Sequence, residues 1–81
     1  MEGIGQVRNF ITSNFYVADP AALEDEASLL DSGIIDSTGV LEVVVFIEAQ
    51  FGVQVKDEEM LPENLDTIGR IVRYIERKQK G

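Results

Sequence analysis

The stretch Gly33-Ile34-Ile35-Asp36-Ser37-Thr38-Gly39-Val40-Leu41-Glu42-Val43-Val44-Val45-Phe46-Ile47-Glu48-Ala49-Gln50-Phe51-Gly52 decides how the rest of the chain is read. Stepping 100° per residue from Ser37 gathers Val40, Val43, Val44, Ile47 and Phe51 on one side, so a helix from Ser37 to Phe51 with a broad core face is expected. Gly52 is the residue type that ends a helix in the left-handed conformation. Leu41 and Val45 fall away from the core face, among Thr38, Glu42, Glu48 and Ala49, and Phe46 lies further round. A helix apolar on nearly every side is either buried all round or keeps an apolar strip for a partner, and 81 residues bury a helix completely only with difficulty. Either the long loop upstream covers Leu41 and Val45, or Glu42 and Glu48 frame them as a docking strip. The pattern leaves both open.

The flanking segments carry the same period, and none alternates with period two over enough residues to make a strand. Ile4, Val7, Ile11 and Phe15 form one stripe of a first helix from about Glu2 to Phe15. The connection from Tyr16 to Asp36 holds the turn signal Asp19-Pro20 and the acidic run Glu24-Asp25-Glu26. Its Leu23, Leu29, Leu30, Ile34 and Ile35 predict a loop packed onto the core, with a helical turn of its own or a functional role. A brief turn of helix around Asp57 to Leu61, closed by Pro62, precedes a last helix capped by Asp66 or Thr67 and running to about Lys78. The expectation is an all-α chain of three main helices and one short one, forming a single domain over residues 1–81.

Composition removes whole classes of chemistry. Without Cys or His there is no disulfide, no thiol nucleophile, no histidine base and no standard zinc cluster. Asp31 with Asp36, or Asp57-Glu58-Glu59, lacks the spaced pattern of a calcium loop and reads as solvated acidic turns. The longest apolar run, Val43 to Ile47, is too short to span a bilayer, and no signal peptide opens the chain, so a cytoplasmic protein is expected. The charge is −8, from 15 acidic and 7 basic residues. Residues 1–66 carry 14 acids against two bases, a net of −12. Residues 67–81 carry one acid against five bases, a net of +4. Those five bases interleave with Ile68, Ile71, Val72 and Ile75 as the solvated face of a terminal helix, where cations suit the dipole. Nucleic acid and anionic membrane are poor partners for such a chain, and a protein with a basic patch is a good one.

A serine at a helix start is by default a cap. Ser37 stands apart because it ends a long loop beside the apolar-acidic strip, where an attached phosphate meets free backbone N–H groups and the positive end of the helix dipole. Gly39 in the first turn costs about 1 kcal/mol against alanine, which suggests that another backbone or an attached group comes close there. Ser37 is therefore a candidate modification site on physical grounds alone.

Asp36-Ser37 opening a helix, its continuation from Val40 to Gly52, and the closing Asp66-Thr67-Ile68-Gly69-Arg70-Ile71-Val72-Arg73-Tyr74-Ile75 resemble acyl carrier proteins over essentially the whole chain. The resemblance implies a four-helix bundle that is not itself an enzyme, with 4'-phosphopantetheine on Ser37 through a phosphodiester and an acyl or aminoacyl cargo held as a thioester. It places partner recognition on Asp36, Thr38, Leu41, Glu42, Val45 and Glu48. The implied partners are a phosphopantetheinyl transferase, an activating ligase and downstream transferases or synthases with basic docking patches, meeting a monomeric carrier. Three positions depart from the fatty-acid carriers: Thr38 replaces a large aliphatic residue, Gly33 lies four rather than three residues before the serine, and Phe46 replaces a small residue. With Gly33-Ile34-Ile35-Asp36-Ser37-Thr38-Gly39 the chain looks more like D-alanyl, aminoacyl or stand-alone peptidyl carriers. The missing thiol fits, since a prosthetic group supplies it. The competing expectation is an unmodified acidic module that binds a basic partner through the same strip.

Overall fold

In the computed structural model, which describes residues 3–80, the chain is helical and contains no strand among those residues. Four α-helices follow one another: α1 Ile4–Asn14, α2 Ser37–Phe51, α3 Pro62–Leu65 and α4 Ile68–Lys80. Two single 3-10 turns, Pro20–Ala22 and Asp57–Glu59, punctuate the connections. Helix α2 occupies the span its periodicity predicts, and Gly52 ends it at φ 69° while donating its N–H to the Glu48 carbonyl. Helix α1 starts later than the sequence suggests because Gly3 adopts a left-handed conformation at φ 82° and sets its first turn. Glu2, the expected first residue, lies outside the described residues.

The short helix lies one step further along than expected. Residues Asp57–Glu59 make only a 3-10 turn, and Pro62 begins α3 rather than closing the turn before it. This is the position where proline suits a helix, since its fixed φ is helical and its missing N–H has no partner there anyway. At α4 the two candidate caps divide: Thr67 Oγ1 accepts the Arg70 N–H at 2.9 Å, whereas the Asp66 side chain turns to the long loop.

The apolar faces meet in one core, in which Val7 and Ile11 of α1, Val43 and Ile47 of α2 and Ile68, Ile71, Val72 and Ile75 of α4 are buried. The loop adds Leu29 and Ile35 to it, with Leu23, Leu30 and Ile34 packed at its edge. Four phenylalanines close the α1–α2 side: Phe46 stacks on Phe10 with centroids 4.2 Å apart, and Phe15 and Phe51 pack edge-on against this pair.

The basic face of α4 works inside the molecule. Arg73 makes a two-point contact with Glu26, at 3.0 and 3.1 Å. Arg77 reaches the Asn64 side chain, Arg70 the Pro62 carbonyl and Lys78 the Glu59 carboxylate. Reading those bases as a solvated face is therefore incomplete: four of them tie the loop and the 57–65 segment to α4. Arg8 pairs with Asp25 from the other side.

Candidate functional site

The start of α2 is built so that one of two adjacent polar side chains does the capping. Asp36 is the residue before the helix, and its Oδ1 accepts the Gly39 N–H at 2.8 Å. One orphan N–H of the first turn is thereby satisfied by a carboxylate that also suits the positive end of the dipole. Ser37, the first helical residue, is exposed, and among the described residues its hydroxyl makes no hydrogen bond. The default role of a serine at a helix start is thus taken by its neighbour.

Gly39 is explained by what lies against it. A Cβ there would stand 3.0 Å from Cε1 of Phe15 and 3.1 Å from Cβ of Ile35. The missing side chain makes room for the end of α1 and for the residue that brings the loop into the helix. The close approach expected at Gly39 is thus made by these two side chains of the chain itself.

The loop that delivers Asp36 and Ser37 is anchored 30 residues downstream. Asp66 accepts the Leu30 N–H at 2.9 Å through Oδ1 and the Ser28 hydroxyl at 2.7 Å through Oδ2, and its carbonyl accepts the Leu29 N–H at 2.7 Å. The Asp25 carbonyl accepts the Gly69 N–H at 2.8 Å. The Glu26 carboxylate sits over Gly69, where a Cβ would fall 1.8 Å from its Oε2. Arg73, hydrogen-bonded to Glu26, holds that carboxyl below its ordinary value.

Beside Ser37, an apolar groove of about 340 Å³ opens between α2 and α3, lined by Leu30, Val40, Met60, Leu61 and Leu65. Its outer wall is positioned by Glu59. The Oε1 of Glu59 accepts from Lys78 Nζ at 2.9 Å, from the Lys56 N–H at 3.1 Å and from the Tyr74 hydroxyl at 3.1 Å. Donation from Lys78 first, then from the Lys56 N–H, lowers the Glu59 pKa. Burial, reinforced by the facing carboxylate, pushes the Tyr74 phenol up to about 12.

Of the residues singled out for partner recognition, Asp36, Thr38, Glu42 and Glu48 are exposed along α2. Leu41 and Val45 retain 54% and 65% of their accessible surface, so the long loop does not cover them. The carboxylate of Glu48 also accepts the Val55 N–H at 2.9 Å, so it fastens the segment after α2. Sequence reasoning missed Met60, Leu61 and Leu30 as walls of the groove. The apolar pair Met60-Leu61 just before Pro62 was the available signal.

A family model described as "Phosphopantetheine attachment site" matches residues 6–75. The chain is 35% identical to an acyl carrier protein of Thermotoga maritima over 95% of this chain and 91% of that one. It is also 35% identical to an acyl carrier protein of Campylobacter hominis, over 100% of this chain and 99% of that protein. An acyl carrier protein of Renibacterium salmoninarum shares 42% identity over 74% of this chain and 72% of its own length.

Proposed function

The chain belongs to the acyl carrier protein family, and from that premise we propose that Ser37 is the residue that carries its 4'-phosphopantetheine. Carriers of this family are not enzymes, and the prosthetic group is covalently attached. When bound, that group supplies the thiol on which cargo rides as a thioester. One observation carries the assignment to Ser37: the Asp36 carboxylate caps α2, which leaves an exposed hydroxyl without a hydrogen bond among the described residues, at the mouth of an apolar groove. Residues and group fit. A phosphodiester on Ser37 is met by the positive end of α2, and the groove gives an apolar lining for what lies close to the attachment point. The chain's own part is to present the hydroxyl, hold the loop that delivers it and offer a surface to enzymes.

Asp36, Thr38, Leu41, Glu42, Val45 and Glu48 form that surface in this reading, and phosphopantetheinyl transferase, activating ligase and downstream transferases are its cytoplasmic partners. Residues 1–81 act as one carrier domain and as a monomer. The Phe10–Phe46 stack closes the interior between α1 and α2, which supports a small aminoacyl or short acyl cargo over a long hydrocarbon chain. No helix among the described residues is long and apolar enough to cross a membrane.

The test is intact mass before and after incubation with a phosphopantetheinyl transferase and coenzyme A. The expected result is a gain of one arm that Ser37→Ala abolishes with helical content unchanged. A protein that never gains the arm, beside a control carrier that does, would falsify the assignment.

A further inference from the structure

The outer wall of the groove beside Ser37, with Met60 and Leu61, belongs to a stretch that is anchored at its two ends. At one end the Val55 N–H donates to the Glu48 carboxylate of α2 at 2.9 Å, and at the other Leu65 is 2% exposed in the core. Between those ends no residue from 56 to 64 is buried. Among the described residues no hydrogen bond or salt bridge joins residues 56–64 to α2. The bonds that tie this stretch to another helix all go to α4, at Arg70, Tyr74, Arg77 and Lys78. The wall therefore faces α2 with apolar side chains and is fastened from behind.

We propose that Glu59, Tyr74 and Lys78 form a latch on this wall, so that the last turns of α4 set how wide the groove beside Ser37 stands. Tyr74 and Lys78 lie four residues apart on one face of α4, and both donate to Oε1 of Glu59, at 3.1 and 2.9 Å. Tyr74 is 2% exposed, so its hydroxyl is a fixed point of the core and not a surface contact. A second fastening backs the first: Asn64 Nδ2 donates to the Glu59 carbonyl at 2.8 Å, and Arg77 donates to Asn64 Oδ1 at 2.8 Å. Met60 and Leu61 follow Glu59 directly, so a displacement of Glu59 carries the wall with it. A stretch without a buried residue opens more cheaply than the core around it, and the bonds to Glu59 oppose that opening. None of the three latch residues lines the groove, so they are positioning residues that act through Met60 and Leu61. The latch stands on this geometry. Its consequence, that α4 decides how large a group can lie beside the arm, rests on the reading of Ser37 as the attachment residue.

The chain has no cysteine, so a single introduced thiol reports on the groove. Val40→Cys, on the α2 side of the groove, is made in a full-length Ser37→Ala background that takes no arm at that position. Its thiol is alkylated with N-methylmaleimide and with the bulkier N-benzylmaleimide, and the ratio of the two rates measures the width of the opening. Glu59→Ala should raise the benzyl-to-methyl ratio about fivefold, and Tyr74→Phe and Lys78→Met about twofold each. Glu59→Gln keeps an acceptor oxygen and should return most of the original ratio. Val7→Ala weakens the core from α1 without touching the latch, and its ratio should stay at that of the parent. An unmoved ratio in Tyr74→Phe and Lys78→Met proteins of native helicity overturns the proposal. So does a Val7→Ala ratio that rises as far as that of Glu59→Ala, because the groove would then open only with the whole fold. With no arm present, neither result depends on the role of Ser37, which the mass measurement decides separately.

Discussion

Two helices of this molecule start on nearly the same letters and do opposite things. Helix α2 begins from Asp36-Ser37-Thr38-Gly39 and α4 from Asp66-Thr67-Ile68-Gly69. At α4 both polar side chains are engaged within the fold: the buried Thr67 caps through the Arg70 N–H, and Asp66 clasps Ser28 and Leu30 of the long loop. At α2 the aspartate takes the cap and the hydroxyl is left to solvent. The glycines diverge in the same way, Gly39 admitting Phe15 and Ile35 and Gly69 admitting the Glu26 carboxylate. A pair of capping residues where one suffices leaves one side chain over. What that side chain touches separates a structural clasp from a hydroxyl open to solvent.

The two aspartates give the largest expected contrast. Asp66→Ala strands a backbone N–H and a serine hydroxyl, both part-buried and bonded to a charged acceptor, and should cost about 3 kcal/mol in denaturant unfolding. Asp36→Ala removes a single cap bond at an exposed helix end, worth about 1 kcal/mol. Equal losses would mean that the two starts carry equal structural load, and the comparison would break.

The hydroxyls sharpen it at smaller scale. Thr67→Ala loses the α4 cap from a site only 2% exposed, and about 1–2 kcal/mol of stability should go with it. Ser37→Ala removes an exposed group without a hydrogen bond and should stay within about 0.5 kcal/mol of the unaltered chain. A Ser37→Ala protein as destabilised as Thr67→Ala would show that the serine holds structure after all.

Sequence reading reached α2 to the residue, because a wide apolar face between a polar start and Gly52 is a local signal. It singled out Ser37 as a candidate for the same reason: the argument needed only the neighbours of one helix start. It did not reach the clasp. Ser28 with Asp66 and Glu26 with Arg73 stand 38 and 47 residues apart, and no local pattern says which acid of the run Glu24-Asp25-Glu26 will find a base. Asp66 reads equally well as a cap or as a clasp until the loop is in place. Gly39 was legible as a close approach, yet the approaching side chain was not, since Phe15 comes from the far end of another helix. The groove wall at Met60 and Leu61 depends on Glu59 reaching Tyr74 and Lys78, again a contact between distant stretches.

The smallest effect tests whether the α4 end is held by charge as well as by hydrogen bonds. Glu26 has its carboxyl held below its ordinary value, chiefly through the Arg73 guanidinium. A carboxylate lowered in the folded state contributes stability that is complete above its unfolded value and is lost as pH falls through the folded one, because the unfolded chain then binds the proton more readily. Replacing Arg73 by Gln removes that difference. Unfolding of the two proteins should therefore differ by a constant small amount from neutrality down to about pH 5, and the curves should converge below that as Glu26 protonates in both. The same gap should shrink in high salt, since both side chains of the pair are more than 40% exposed. A gap that persists at low pH would assign the effect of Arg73 to packing of its stem along α4. The loop bearing Ser37 would then be held at α4 by Asp66 and the Asp25 carbonyl, without help from the ion pair.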